Sequence, residues 1–193
     1  MTTFEVSHDK LLPNLNSLFS LVVARAPHLT TLGIQVINPN GATPEVFSPS
    51  RNLCAALAPL FPLVQLRALR FELCHSALAC SSADVRAALD AWPALEDFSV
   101  RFRAAPRARV ALDVLAHVAR ACPRLRVMHL PWTALVAGSL DAARVGHAPH
   151  LAMRTLGLGE VEVVGASREE AEAEIVGFVE AVFPMTSLDF RTA

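Results

Sequence analysis

The chain has 193 residues, of which 53% are hydrophobic and 18% charged, with a formal net charge of −1 and a pI near 6.6. That much apolar content excludes disorder over most of the length. A charge this close to zero excludes an overall electrostatic pull toward nucleic acid or an anionic membrane.

The predicted elements run in a regular succession. Phe4-Glu5-Val6 reads as a short edge strand, with Val6 standing 28 residues before Ile34. Leu12-Pro13 with Leu15, Leu18 and Phe19 opens the first helix. Leu29 to Ile34 follows as a strand, its apolar residues alternating as on a half-buried sheet. Asn38 to Ser48, with Pro39, Gly41 and Pro44, reads as a loop, and Ser48-Pro49 as a helix start with proline in the first turn. Leu66 to Leu73 is the next strand. Ser81-Ser-Ala-Asp84 has the pattern of a helix N-cap whose hydroxyl and carboxylate satisfy free amides reciprocally. Leu95 to Phe102 is a strand, and Ala108 to Cys122 carries apolar residues three and four apart, which predicts a helix over that range. Leu125 to Leu130 returns to strand. Thr133 to Ala148 is the weakest unit, because Gly138 and Gly146 lower helix propensity. Met153 to Leu158 is a strand. Ser167-Arg-Glu-Glu170 opens a helix from Glu169 to Phe183, and Met185 to Phe190 is the last strand.

One phrase recurs through this succession: Pro-x-Leu-x-x-Leu-x-apolar, always after a helix-like stretch. The last apolar residues of its copies are Ile34, Phe71, Val100, Leu130, Leu158 and Phe190, separated by 37, 29, 30, 28 and 32 residues. Self-similarity at that period predicts stacked strand-plus-helix modules. Proline disfavours helical geometry in its predecessor, so each helix is expected to end at the proline that opens the next phrase. Parallel strands need a crossover, and the intervening helices supply it. The predicted fold is therefore α/β: a right-handed α/β solenoid, with a parallel sheet on the concave face and helices on the convex face. Residues 1–193 are read as a single domain of about six irregular repeats.

The residues between the buried ones point to the concave face. They give a candidate partner-binding row of Gln35, Arg70, Glu72, Asp97, Ser99, Arg101, His129, Asp189 and Arg191, with a charged stripe from Arg70 through Asp97 and Arg101 to His129. Arg101, Arg103, Arg107 and Arg109 form an arginine cluster around Ala104-Ala105-Pro106. The acidic run Glu169, Glu170, Glu172 and Glu174 reads as a helix start whose carboxylates offset the helix dipole. His147 and His150 flank Pro149 and read as surface histidines. Cys54, Cys74, Cys80 and Cys122 show no disulfide framework and read as buried free thiols of a reducing compartment, the cytoplasm or nucleus. Cys74-His75 with Cys80 lacks the second pair that a zinc site needs. No nucleophile elbow, phosphate-binding glycine loop or His-Glu-x-x-His motif occurs; Gly157-Leu158-Gly159 reads instead as a close backbone approach. Catalytic, cofactor-binding and metal-binding residues are accordingly expected to be none. No signal peptide and no apolar run long enough to span a bilayer is seen.

Phrases such as Cys122-Pro-Arg-Leu-Arg-Val-Met-His-Leu130 and Trp92-Pro-Ala-Leu-Glu-Asp-Phe-Ser-Val100 resemble the irregular leucine-rich repeats of F-box and other ribonuclease-inhibitor-like proteins, with the flavour of the fungal F-box-like groups. The resemblance covers roughly residues 4–193 and implies a horseshoe segment that binds a protein partner. In that family the F-box recruits a ubiquitin-ligase core and the repeats hold the substrate, so ubiquitin-ligase components are the partners the resemblance implies. The segment around Leu12-Pro13 lacks the length of an F-box before the strand at Leu29. The expected function is a non-catalytic protein–protein interaction scaffold, related to the substrate-recognition repeats of ubiquitin-ligase adaptors. The alternatives are a stand-alone structural or regulatory module, or a truncated repeat protein with no retained function. No polar capping unit follows Phe190-Arg-Thr-Ala193, so an exposed sheet edge and edge-mediated self-association are also expected.

Overall fold

A computed structural model describes residues 4–7, 15–37, 52–104, 109–144 and 149–192. The strands are β1 (Phe4–Ser7), β2 (Thr31–Ile37), β3 (Ala68–Leu78), β4 (Asp97–Ala104), β5 (Val110–Ala111), β6 (Val127–His129), β7 (Trp132–Val136), β8 (Thr155–Val164) and β9 (Ser187–Thr192). The helices are α1 (Leu15–Arg25), α2 (Leu53–Leu57), α3 (Ser82–Ala91), α4 (Val114–Ala121), α5 (Ser139–Arg144) and α6 (Arg168–Val182). Among the described residues nine strands join one sheet, and every recorded pairing is parallel. The sheet is curled into a half-barrel, a shape compatible with a horseshoe.

The strands lie in the order β1-β2-β3-β4-β6-β8-β7-β5, with β9 also beside β8, and register explains why that order looks scrambled. β6 and β7 pair with the two halves of β8, Val127 with Thr155 and Trp132 with Glu160, so they are one rung broken at Leu130-Pro131. Proline has no N–H to give to the ladder, and the break falls where that donor is missing. In the same way β5 resumes the rung begun by β4, pairing with β7 as β4 pairs with β6. Counted so, each rung lies beside the rungs before and after it in the chain. The Cα partners reproduce the repeat phase read from sequence: Ile34 opposite Phe71, Phe71 opposite Val100, Ser99 opposite His129, His129 opposite Gly157, and Gly157 opposite Asp189.

The first leucine of the phrase does not belong to the strand. Leu29, Leu66, Leu95 and Leu125 sit in the turn before it, buried, and each donates its N–H to the carbonyl of the residue that closes the preceding helix or turn. That contact turns the chain from helix to strand and sends the side chain into the core. Burial of each such leucine contributes on the order of 2 kcal/mol before entropy is counted. The buried apolar residues form one cluster running from Phe19 and Leu32 through Trp92, Phe98 and Met128 to Phe178 and Phe183.

Three sequence expectations need correction here. Phe4, and not Val6, stands opposite Ile34, which lengthens that step by two residues. Val110 belongs to a strand, and the helix of that unit is only Val114–Ala121. Spacing alone cannot separate Val110 from the helical stripe, but Ala111 donates its N–H to Ser82 Oγ and Leu112 donates to Ala134 O, which holds the segment against neighbouring units. Thr133 likewise lies in β7 and leaves only the short α5 after it. The loop over 38–48 and the helix start at Ser48-Pro49 lie outside the described residues; α2 is capped by Asn52, whose Oδ1 accepts the Ala55 N–H at 2.8 Å. Both capping boxes are present, at Ser81 with Asp84 and at Ser167 with Glu170.

Candidate functional site

Side chains alternate along each strand, and the register lines the outward ones into rows across the hollow of the sheet. One row runs Gly33, Arg70, Ser99, His129, Gly157, Asp189; the next runs Gln35, Glu72, Arg101, and ends in the partners Glu160 and Arg191. Three neighbouring hollows follow these rows. Arg70, Glu72, Asp97, Ser99, Arg101 and His129 line the first, of about 350 Å³. Arg101, His129, Pro131, Gly157, Gly159 and Asp189 line the second, of about 360 Å³. Pro131, Trp132, Gly159, Glu160, Asp189 and Arg191 lie around the third, of about 580 Å³. Shared residues make them one groove. The stripe expected from Arg70 to His129 is thus assembled, and Asp189 and Arg191 extend it. Gln35 stands outside the hollows and donates to Glu72 Oε2 at 3.3 Å.

Within the groove Arg70 is committed to Asp97, donating from Nε at 2.9 Å and from a second guanidinium nitrogen to the same oxygen. The guanidinium is largely exposed, so this pair contributes at most about 1 kcal/mol; its effect is to fix the direction of both side chains. Asp97 Oδ1 and His129 Nδ1 are buried and have no hydrogen-bond partner among the described residues. Burial pushes the His129 imidazole pKa down, Arg101 and then Arg70 push it further down, and Asp97 and Asp189 oppose them. Arg101 and Arg191 are exposed.

The floor is made by missing side chains. A Cβ at Gly157 would stand 2.4 Å from His129 Cδ2, so the imidazole lies across the glycine. Gly159 has φ +60°, and a Cβ there would meet the Pro131 carbonyl oxygen. Only glycine adopts that backbone without strain. The close approach expected at Gly157-Leu158-Gly159 is therefore present, against a side chain at one glycine and a backbone at the other.

Other candidates resolve differently. Arg109 is bound to Glu162 at 2.9 Å and lies 4.8 Å from the Trp132 ring centre; Arg107 and the side chain of Arg103 lie outside the described residues. Glu170 closes the α6 capping box, Glu172 accepts from Arg168 and Thr192, and Glu174 accepts the N–H groups of Gly138 and Leu140. The acidic run thus ties units together as well as capping a helix. His150 is not a surface residue. It is 5% exposed; its Nδ1 accepts the Met153 N–H at 3.2 Å, so Nε2 carries the proton and donates to Cys122 O at 2.9 Å. His147 lies outside the described residues. Cys80 and Cys122 are buried free thiols whose pKa burial pushes up to about 12, and Cys54 is a partly exposed one. The side chains of Cys74 and His75 lie outside the described residues. Among the described residues no group of three or more His, Cys, Asp or Glu could hold a metal ion, and no helix is long and apolar enough to cross a membrane.

Sequence reasoning missed Pro131, Trp132 and Glu160, because the length of β8 and the break at Pro131 come from pairing. The site that results is a groove on a parallel α/β sheet, carrying charges of both signs around a backbone floor. Scans of family models, of curated proteins and of solved structures each return no match to this chain.

Proposed function

We propose that this chain is a non-catalytic protein-interaction scaffold of the leucine-rich-repeat kind, a right-handed α/β solenoid that takes a protein partner along its concave groove. The observation that carries this reading is the groove itself: three adjoining hollows over strands from β3 to β9, lined by the outward residues of successive units. A groove on a hydrogen-bonded sheet has little ordering entropy to lose on binding, so polar contacts along it translate into affinity with small cost. Charges of both signs favour a partner of mixed charge and act chiefly on specificity and association rate. Substrate recognition for a ubiquitin ligase is the version of this function that the repeat phrases suggest, with the recruiting domain on a partner.

The test is affinity capture by the purified chain beside its R70E and R101E variants, with crosslink mapping of the proteins retained. Proteins retained by the parent, crosslinked to the groove and lost by the variants support the reading. An unchanged set of retained proteins refutes it, because both arginines line the groove and neither is part of the core.

A further inference from the structure

β9 pairs with β8 along one edge, and its other edge pairs with no strand among the described residues. Ser187 donates its N–H to the carbonyl oxygen of Arg154, just before β8. Backbone groups alternate along a strand, so those of Asp189 and Arg191 also face β8, and those of Leu188, Phe190 and Thr192 face outward. Side chains alternate too. Asp189 and Arg191 stand exposed on the groove side, while Thr192 reaches Glu172 of α6 on the helix side at 2.8 Å. Leu188 and Phe190 are only half-buried there, although their counterparts in inner rungs, such as Leu69, Phe98, Phe71 and Val100, are at most 1% exposed.

We propose that two copies of this 193-residue chain associate through this edge, as an antiparallel pair of β9 strands related by a twofold axis at Phe190. This goes beyond the groove reading and does not rest on it. The twofold at Phe190 sets Phe190 opposite Phe190 and Leu188 opposite Thr192 as hydrogen-bonded pairs, so every outward backbone group on both strands is used. It also sets Asp189 of each copy opposite Arg191 of the other, in the non-hydrogen-bonded positions where side chains come closest. Neighbouring registers fail on charge: a twofold at Asp189 brings two carboxylates together, and a twofold at Arg191 brings two guanidinium groups together. The exposed apolar edge and its charge order thus select one self-complementary, isologous contact.

Analytical ultracentrifugation over a concentration series tests this. The parent is expected to dimerise reversibly. D189R and R191D each replace two attractive pairs by two repulsive ones and are expected to raise the dimer dissociation constant about tenfold or more. The double variant D189R/R191D exchanges the signs and is expected to return the constant to near the parent value. Circular dichroism establishes that each variant is folded. If a single variant does not fold, the salt dependence of the parent decides, since the dimer is expected to weaken as salt screens the pairs. A parent that stays monomeric at high concentration overturns the proposal. So does a dimer indifferent to salt and to both reversals, or a double variant no better than the singles.

Discussion

His150 gives the sharpest test of how the units are joined. In the neighbouring turns, the N–H of Leu95 or Leu125 is taken by the carbonyl of Trp92 or Cys122; in this one Met153 gives its N–H to the His150 ring instead. The ring then donates to Cys122 O of the previous unit and sits 5.6 Å, centre to centre, from the Phe183 ring of the next. His150→Ala removes the acceptor and leaves a buried N–H orphaned, which costs about 1–3 kcal/mol. Loss of the buried ring's packing adds about 1 kcal/mol. The expected total is about 2–4 kcal/mol. His150→Asn keeps an acceptor oxygen where Nδ1 stands, restoring the local bond while giving up the bond to Cys122, and is expected to cost about 1–2 kcal/mol. Urea unfolding at equilibrium, with the slope compared between variants, measures both losses. An alanine variant within about 0.5 kcal/mol of the parent refutes the claim that this side chain closes the turn, and an asparagine variant no better than alanine refutes the assignment of Nδ1 as acceptor.

Two further outcomes follow from the groove floor. Gly157→Ala meets an imidazole that can rotate away, and is expected to cost about 1–2 kcal/mol. Gly159→Ala meets backbone at positive φ, and is expected to cost about 3 kcal/mol or more; thermal or urea unfolding gives the order, and equal losses contradict it. His129 is expected to titrate below the ordinary imidazole value of about 6.5, with R101A raising its midpoint and D189N lowering it, as NMR of the ring protons records. Because protonation is disfavoured in the fold, the linked stability is full above the unfolded-state pKa and is lost as pH falls through the lowered one. A midpoint at or above the ordinary value refutes that environment.

Much of this was readable beforehand because one recurring phrase carries both helix termination and strand phase. Proline after the helix and alternation in the strand agree with one another from Leu29 to Phe190, and the pairings follow that phase, although the first leucine of each phrase, read as strand, sits in the turn before it. The misreadings occur where a residue's state depends on another unit. Val110 fits a helical stripe, yet its segment is held by Ser82 and Ala134. His150 looks polar beside a proline, although it stands as far before Leu156 as Trp92 does before Phe98 and Cys122 before Met128; aligning on that position would have marked it as buried. Of the site, the outward rows were legible from alternation alone. The hollows were not, because the positions that shape them contribute absence: a missing amide hydrogen at Pro131 and missing side chains at Gly157 and Gly159.

That manner of construction divides the labour of the groove. Its depth is set by main chain held in the ladder, and any substituent added at the bottom fills it. Its walls are long, exposed side chains such as Arg101 and Arg191, which can be exchanged without disturbing a single rung. On the proposed reading, a surface of this kind changes its choice of companion by altering the walls one at a time, while the cup beneath them keeps its shape.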